Sequence, residues 1–150
     1  MIKNEQQYRV TTAQIEKFER AVAQLEHHPT PADPTDPLLR RIQLDALRSQ
    51  LTDLRAERDE FDELRSGNTV VLRLASFADL PAALIKARIA AGLTQRDLAD
   101  RLHLKEQQIQ RYEATEYASA SLTRVRQVID ALGIDIREEI VLPGRAPGTV

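Results

Sequence analysis

The 150-residue chain has no cysteine and no tryptophan, and its aromatic residues are three phenylalanines and three tyrosines. The absence of cysteine excludes disulfide bonds, thiol catalysis and thiolate metal sites. No segment approaches the roughly 18 apolar residues of a membrane span, and the polar start MIKNEQQYRV lacks the apolar stretch of a secretory signal. We therefore expect a cytoplasmic protein in which a hydrophobic content of 42% builds one modest core and a smaller appendage.

An excess of positive charge is also missing from the chain as a whole, because the formal net charge is −2. The charge is uneven along the sequence, however. Residues 80–133 hold eight Lys/Arg against six Asp/Glu, whereas residues 1–79 hold 11 against 14. Attraction to phosphate depends on the local field rather than on the total, so the acidic total does not exclude nucleic acid as a partner.

Two amphipathic helices are predicted in the first 67 residues. Apolar residues at spacings of three and four predict a helix over residues 11–27, with Thr11 or Thr12 as its N-cap. A second helix is predicted over residues 36–65, beginning at Asp36-Pro37 and ending at Gly67-Asn68. Between them lies HPTPADPTDP, whose four prolines predict a loop or linker.

The second helix carries a near-heptad apolar seam, formed by Leu44, Leu47, Leu51, Leu54, Phe61 and Leu64. This seam can pack on residues 11–27 as a helical hairpin, or on a second subunit. We favour the hairpin, because the first helix is nearby and amphipathic.

Two short strands are predicted on either side of the central block. Residues 69–74, TVVLRL, are rich in β-branched side chains, and residues 134–142 read IDIREEIVL. Such strands can pair with each other or across a dimer. The final residues, 143–150, are predicted to form a flexible tail.

Four helices are predicted between residues 80 and 133, over 81–91, 95–102, 105–114 and 122–132. Thr94 and Ser121 are the expected N-caps of the second and fourth, and Asp97 adds an imperfect capping box to Thr94. Gly92 and Gly133 end the first and the last. His103-Leu104 leaves only a brief break between the second and third helices, which must therefore cross steeply, as in a helix-turn-helix.

The third of these helices separates its apolar and polar residues onto two faces. Ile109 and Tyr112, with Leu104 just before them, match an apolar face on the preceding helix formed by Leu98, Ala99 and Leu102. The opposite face clusters Lys105, Glu106, Gln107, Gln108 and Arg111. A planar amide can pair with adenine and arginine with guanine, while a carboxylate can accept from cytosine.

These segments resemble a known family. GLTQRDLADRLHLKEQQIQRYE, followed by SLTRVRQVIDALGI, is similar to the Xre/Cro-type helix-turn-helix family of phage repressors and bacterial antitoxins. The resemblance covers about residues 80–135. It rests on the LTQ opening, the Leu-Ala pair, the Ile-x-x-Tyr-Glu core of the third helix and the closing A-L-G-I.

The resemblance implies a DNA-binding site on the third helix. Its base-reading positions fall on Glu106, Gln107 and Arg111, with Gln108 close by. Its phosphate contacts fall on Gln95, Lys105 and the loop from Thr115 to Ser119, which includes Tyr117. Two departures stand out: His103 occupies a turn position that the family often fills with glycine, and Glu106 repels phosphate at a reading position.

The expected fold class is mainly α: an N-terminal helical hairpin and a lambda-repressor-like domain of four to five helices with short flanking β-strands. The expected division is an accessory domain over 1–67, a DNA-binding domain over 68–142 and a tail over 143–150. No nucleophile–base pair, phosphate-cradling glycine loop or metal spacing is seen, so we expect no enzyme, cofactor or metal site.

The expected function is sequence-specific transcriptional regulation by a nucleoid-associated homodimer that binds double-stranded DNA at a palindromic operator, with no membrane contact. The alternative is the antitoxin of a type II toxin–antitoxin pair, whose N-terminal helices neutralise a toxin and whose DNA binding serves autoregulation. A third interpretation is an RNA-associated adaptor that uses the same helical block.

Overall fold

The computed structural model of the chain describes residues 1–27 and 36–143. Within these residues the secondary structure is helical, which confirms the mainly α fold class. Among the described residues, a 3-10 turn over Phe77–Asp79 precedes the third of six α-helices. The helices are α1 (Glu5–His27), α2 (Pro37–Arg65), α3 (Leu80–Ala90), α4 (Gln95–Arg101), α5 (Glu106–Ala114) and α6 (Leu122–Leu132). None of the described helices is long and apolar enough to cross a membrane.

Helix α1 begins at Glu5, so the predicted N-cap at Thr11 or Thr12 is wrong. The cap is Asn4, whose Oδ1 accepts a hydrogen bond of 2.9 Å from the Gln7 backbone N–H. The Gln7 side chain in turn accepts from the backbone N–H of Lys3 at 2.8 Å. These reciprocal bonds satisfy donors at the helix start, and the helix begins six residues before the predicted start at residue 11.

Helix α2 confirms the predicted second helix and its start and stop residues. Asp36 caps it by accepting a hydrogen bond of 3.0 Å from the Leu38 backbone N–H, and Pro37 occupies the first turn. The helix ends at Arg65, and Gly67 follows with a φ of +74°, in the left-handed region where glycine has no steric penalty.

Helices α1 and α2 form the predicted hairpin. Three ion pairs show that they run antiparallel, because the partner numbers fall on one helix as they rise on the other: Glu5–Arg65, Glu19–Arg55 and Glu26–Arg48. Ile15 and Leu51 are buried between the helices. These surface ion pairs contribute little each, so the apolar stripe of α1 against the seam of α2 stabilises the hairpin.

Helices α3 to α6 enclose the main core. Its largest fully buried apolar side chains are Leu84, Ile85, Leu98, Ile109 and Val128. The same core cluster includes Ile2, Phe61 and Leu64 from the N-terminal part of the chain. An ion pair between Lys86 and Glu60 also joins α3 to α2. The domain boundary predicted at residue 67 stays a prediction, while one cluster of buried side chains runs across it.

The two predicted strands are wrong. In the described part of the chain, residues 69–74 and 134–142 form no strand. Most of their side chains are exposed, to 90% at Val70 and 87% at Ile140, whereas Ile134 and Ile136 are partly buried against the core. β-Branched side chains favour a pleated, half-buried surface. A segment rich in them forms a strand only when a neighbouring segment supplies the backbone hydrogen bonds. The proline-rich stretch at 28–35 and tail residues 144–150 lie outside the described residues.

Candidate nucleic-acid interface

The turn between α4 and α5 is built by local backbone chemistry. Thr94 Oγ1 accepts a hydrogen bond from the Asp97 N–H at 3.0 Å, and Asp97 Oδ2 accepts from the Thr94 N–H at 2.8 Å, which confirms the predicted capping box. At the other end of α4, His103 has a φ of +55°. Histidine is among the residues that tolerate the left-handed region, and so replaces the glycine that the resemblance implies. The Leu104 N–H then donates to the Ala99 carbonyl at 2.8 Å.

Because the turn is so short, α5 docks on α4 through its apolar face. Leu98, Ala99 and Ile109 are at most 1% exposed. Leu104 and Tyr112 are half-buried at the edge of the same cluster. The docking face therefore follows the prediction, and the opposite face of α5 is left for solvent.

That opposite face brings the four predicted base-reading residues together in the exposed first two turns of α5, at Glu106, Gln107, Gln108 and Arg111. Their side chains differ in whether they form hydrogen bonds within the protein. Glu106 accepts a hydrogen bond of 3.1 Å from Gln110, and Gln108 accepts one of 3.1 Å from the Lys105 backbone N–H, which caps the helix. Within residues 1–27 and 36–143, no hydrogen bond holds the side chain of Gln107 or of Arg111.

The loop after α5 exposes two of the predicted phosphate contacts. The hydroxyl oxygens of Thr115 and Ser119 lie 3.3 Å apart, and the Thr115 hydroxyl also lies within hydrogen-bonding distance of the Arg111 carbonyl, at 3.1 Å. Both residues are exposed, as is Lys105 at the other end of α5. Hydroxyl and ammonium donors thus flank the exposed face of α5 at both of its ends.

Two other predicted phosphate contacts lie in the interior. Gln95 is 6% exposed and Tyr117 is 3% exposed. The Tyr117 ring stacks on Tyr112 with 6.0 Å between centroids, and burial raises the pKa of its hydroxyl. Tyr117 has a φ of +58° and its N–H donates to the Tyr112 carbonyl at 2.6 Å, so it shapes the loop from within.

Residues 84–138 match the model of a family described as Helix-turn-helix. The match supports the Xre/Cro-type helix-turn-helix that the resemblance predicts for this segment. The match begins within α3 and ends just beyond α6, a little over a third of the chain. Families of this kind are DNA-binding and non-enzymatic. A comparison with curated proteins gave no match, and neither did a comparison with solved structures.

The helix-turn-helix segment contains a buried ionic network that was not predicted from the sequence. Arg88 is 2% exposed and Glu113 0%. Arg88 Nε donates to Glu113 Oε1 at 2.5 Å and Arg88 Nη2 to Glu113 Oε2 at 2.8 Å, a two-pronged pair between α3 and α5. The Gln95 amide donates to Glu113 Oε2 at 2.8 Å, which adds α4 to the network.

Helical spacing could have revealed this pair. Arg88 follows Leu84 by four residues on a helix that is otherwise largely apolar, and Glu113 follows Ile109 by four. Both charges therefore fall on faces that the apolar periodicity turns toward the core. Two opposite charges on core-facing positions predict a buried pair, because a lone buried charge is too unfavourable to persist. No cluster of His, Asp or Glu suited to a metal ion occurs among the described residues.

Proposed function

We propose that the protein is a sequence-specific transcriptional regulator that binds a palindromic DNA operator as a dimer. The observation that carries the proposal is the exposed first half of α5, where Gln107 and Arg111 extend from a helix whose other face is locked into the domain core. In helix-turn-helix proteins this end of the second helix enters the major groove.

Gln107 and Arg111 are four residues apart and therefore lie on one face of α5. The amide of Gln107 suits the N6 and N7 atoms of adenine, and the guanidinium of Arg111 suits O6 and N7 of guanine. Glu106 accepts from the cytosine amino group. Gln108 keeps its amide donors, although its oxygen caps the helix.

Phosphate contacts fix the register of the reading helix. Lys105, Thr115 and Ser119 supply donors at the two ends of α5. Gln95 contributes its backbone N–H from the first turn of α4 rather than its side chain, which the buried network occupies. Tyr117 supports the loop that presents Thr115 and Ser119.

A dimer follows from the size of one reading helix, which covers only a few base pairs. Two half-sites about 34–36 Å apart would be read by two copies. Much of the α2 seam is occupied by α1, so we place the contact between copies at residues 69–74 and 134–142. These β-branched segments are mostly exposed, apart from Ile134 and Ile136 against the core, and their backbone has no ladder partner within one described chain.

The test combines selection from random duplexes with substitutions on α5. A palindromic selected sequence is expected. Gln107→Ala and Arg111→Ala should each reduce operator binding by about 1–3 kcal/mol relative to scrambled DNA, because each removes a base contact. Lys105→Ala should weaken binding to all duplexes and reduce its salt dependence by about one counterion.

The matched controls are Gln50→Ala and Arg41→Ala, which remove the same side chains from exposed positions on α2. These controls should leave operator preference unchanged. Intact preference in Arg111→Ala would refute the assigned reading face, and tighter binding to RNA than to duplex DNA in direct competition would favour an RNA adaptor instead.

One observation favours the antitoxin alternative. At the far end of the hairpin, the start of α2 exposes three apolar side chains, Leu38 (63%), Leu39 (48%) and Ile42 (56%). Exposed apolar groups close together on one element are typical of protein contacts. A toxin partner encoded next to this chain should then co-purify with it one-to-one, and the double variant Leu39→Glu/Ile42→Glu should release it. Absence of a complex with the neighbouring product would contradict this alternative.

A further inference from the structure

The segment Ile2–Asn4 lies against the helix-turn-helix domain, although some 80 residues separate them in sequence. Ile2 is 3% exposed within the core cluster. The Lys3 carbonyl accepts a hydrogen bond of 2.7 Å from Arg88 Nη2, and Lys3 Nζ donates to the Glu113 carbonyl at 2.6 Å. The Asn4 amide donates to Gln95 Oε1 at 3.2 Å. The segment thus contacts a residue of α3, of α4 and of α5.

These contacts complete the buried network. Besides Glu113, the Arg88 guanidinium has two acceptors, the carbonyls of Leu93 and Lys3. The Gln95 amide donates to Glu113 with its nitrogen, so its oxygen needs a donor from elsewhere, and Asn4 supplies it. A buried donor or acceptor without a partner is unfavourable, so the segment stabilises the arrangement in which Arg88, Gln95 and Glu113 hold their helices together.

Asn4 also connects this network to the hairpin. Its Oδ1 caps α1, while its amide nitrogen reaches Gln95 at the first turn of α4. One side chain therefore fixes the start of α1 against the start of α4. Glu113 lies two residues after Arg111 on α5. Its carboxylate accepts a hydrogen bond from the Gln95 amide, and its backbone carbonyl accepts one from Lys3 Nζ. These hydrogen bonds, together with the bond from Arg88 to the Lys3 carbonyl, link the positions of Lys3 and Asn4 to that of α5.

We propose that Lys3 and Asn4 are positioning residues for DNA recognition, which set the orientation of α5 without touching the nucleic acid. The inference rests on the proposed function of α5. Base reading requires side chains held within roughly 0.5 Å of their productive positions, so loosening the end of α5 reduces discrimination between sequences more than general attraction to phosphate.

Asn4→Asp separates positioning from folding. Aspartate keeps the Oδ1 acceptor that caps α1, and its charge is favourable at a helix N-terminus. It lacks the amide donor, and sets a carboxylate oxygen against Gln95 Oε1. If the Gln95 amide flips to donate to the new carboxylate at position 4, its oxygen then faces the Glu113 carboxylate. No orientation of the Gln95 amide therefore satisfies both carboxylates. Lys3→Met keeps the aliphatic stem and the main-chain carbonyl while removing the Nζ donor.

The matched controls change charge equally on the exposed surface of α1: Gln14→Glu for Asn4→Asp, and Lys17→Met for Lys3→Met. Binding of the full chain to its selected operator and to scrambled duplex is measured well below the thermal midpoint, together with urea unfolding. Relative to its control, each variant should lose about five- to ten-fold in operator affinity and less than about two-fold for scrambled DNA, the equivalent of one lost hydrogen bond. Lys3→Arg, which keeps a donor, should restore most of the loss.

Two failures are distinguishable. A wild-type chain without preference for any duplex would refute the proposed function itself. A selective wild-type chain whose Asn4→Asp and Lys3→Met variants keep the operator-to-scrambled ratio, even with a lowered unfolding midpoint, would overturn the positioning role and leave DNA recognition intact.

Discussion

Replacing Arg88 by methionine should destabilise the protein more than most single substitutions. The change leaves the Glu113 carboxylate fully buried, with Gln95 as its remaining side-chain donor. Removing one partner of a buried ion pair costs about 3–5 kcal/mol. A domain has a free energy of unfolding of only about 5–15 kcal/mol, so the loss is a large share of the total.

The assay is urea unfolding followed by circular dichroism, with a thermal scan as a second measurement. With a urea dependence of about 2 kcal/mol per molar, a loss of about 4 kcal/mol lowers the midpoint by about 2 M. At about 3 °C per kcal/mol for a chain of this length, the thermal midpoint should fall by about 9–15 °C.

The double variant Arg88→Met/Glu113→Leu tests the physical reason. It removes the orphaned charge, so it should be more stable than Arg88→Met alone by about 1–3 kcal/mol. Full recovery is not expected, because the Gln95 amide then lacks an acceptor. Strictly additive losses in the two single variants, or a loss below about 1 kcal/mol in Arg88→Met, would refute the argument that the pair is coupled by burial.

Three further predictions concern the turn, the cap and the hairpin. His103→Gly should raise the free energy of unfolding by about 0.5–1 kcal/mol, since glycine accepts the left-handed φ without strain, and an unchanged urea midpoint would contradict this. Hydrogen bonds from Thr94 lower the pKa of Asp97, so its stabilising effect is present above the unfolded pKa of about 3.9 and is lost as pH falls through the lower folded value. Asp97→Asn should accordingly flatten the decline of stability below about pH 4 in acid titrations. Ile15→Ala should cost about 2–5 kcal/mol by opening a cavity in the hairpin, whereas Arg55→Ala, in an exposed ion pair, should stay within about 1 kcal/mol.

Local chemistry explains why most helix boundaries could be predicted. Thr94, Ser121 and Asp36 cap the helices they precede, and Gly133 ends α6 with a φ of +66°. Each of these residues interacts with backbone groups no more than three or four positions away, so both partners are found within one short stretch of sequence. Asn4 acts in the same way, but the first turns of its helix lie ahead of the apolar stripe that begins at Ile15, and the helix was predicted to begin only at residue 11.

Strand formation could not be predicted from residues 69–74 and 134–142, because a strand depends on a neighbour that local sequence does not contain. The docking face of α5 was predictable from helical periodicity at Ile109 and Tyr112. The inward position of the Gln95 side chain could not be predicted, because it depends on hydrogen bonds to Glu113 and Asn4, which are distant in sequence. Whether the exposed face of α5 reads bases stays a prediction.

The length of α2 sets the distance between the core and the exposed apolar residues at the start of this helix. From Leu64, buried in the shared core, to exposed Leu38, helix α2 rises about 39 Å at 1.5 Å per residue. Half-sites of an operator are separated by about 34–36 Å. The exposed apolar residues Leu38, Leu39 and Ile42 therefore lie, along α2, roughly one half-site spacing from the point where this helix joins the core. A protein bound at Leu38, Leu39 and Ile42 would therefore contact the chain far from the core on which α5 docks, and would leave the exposed face of α5 uncovered.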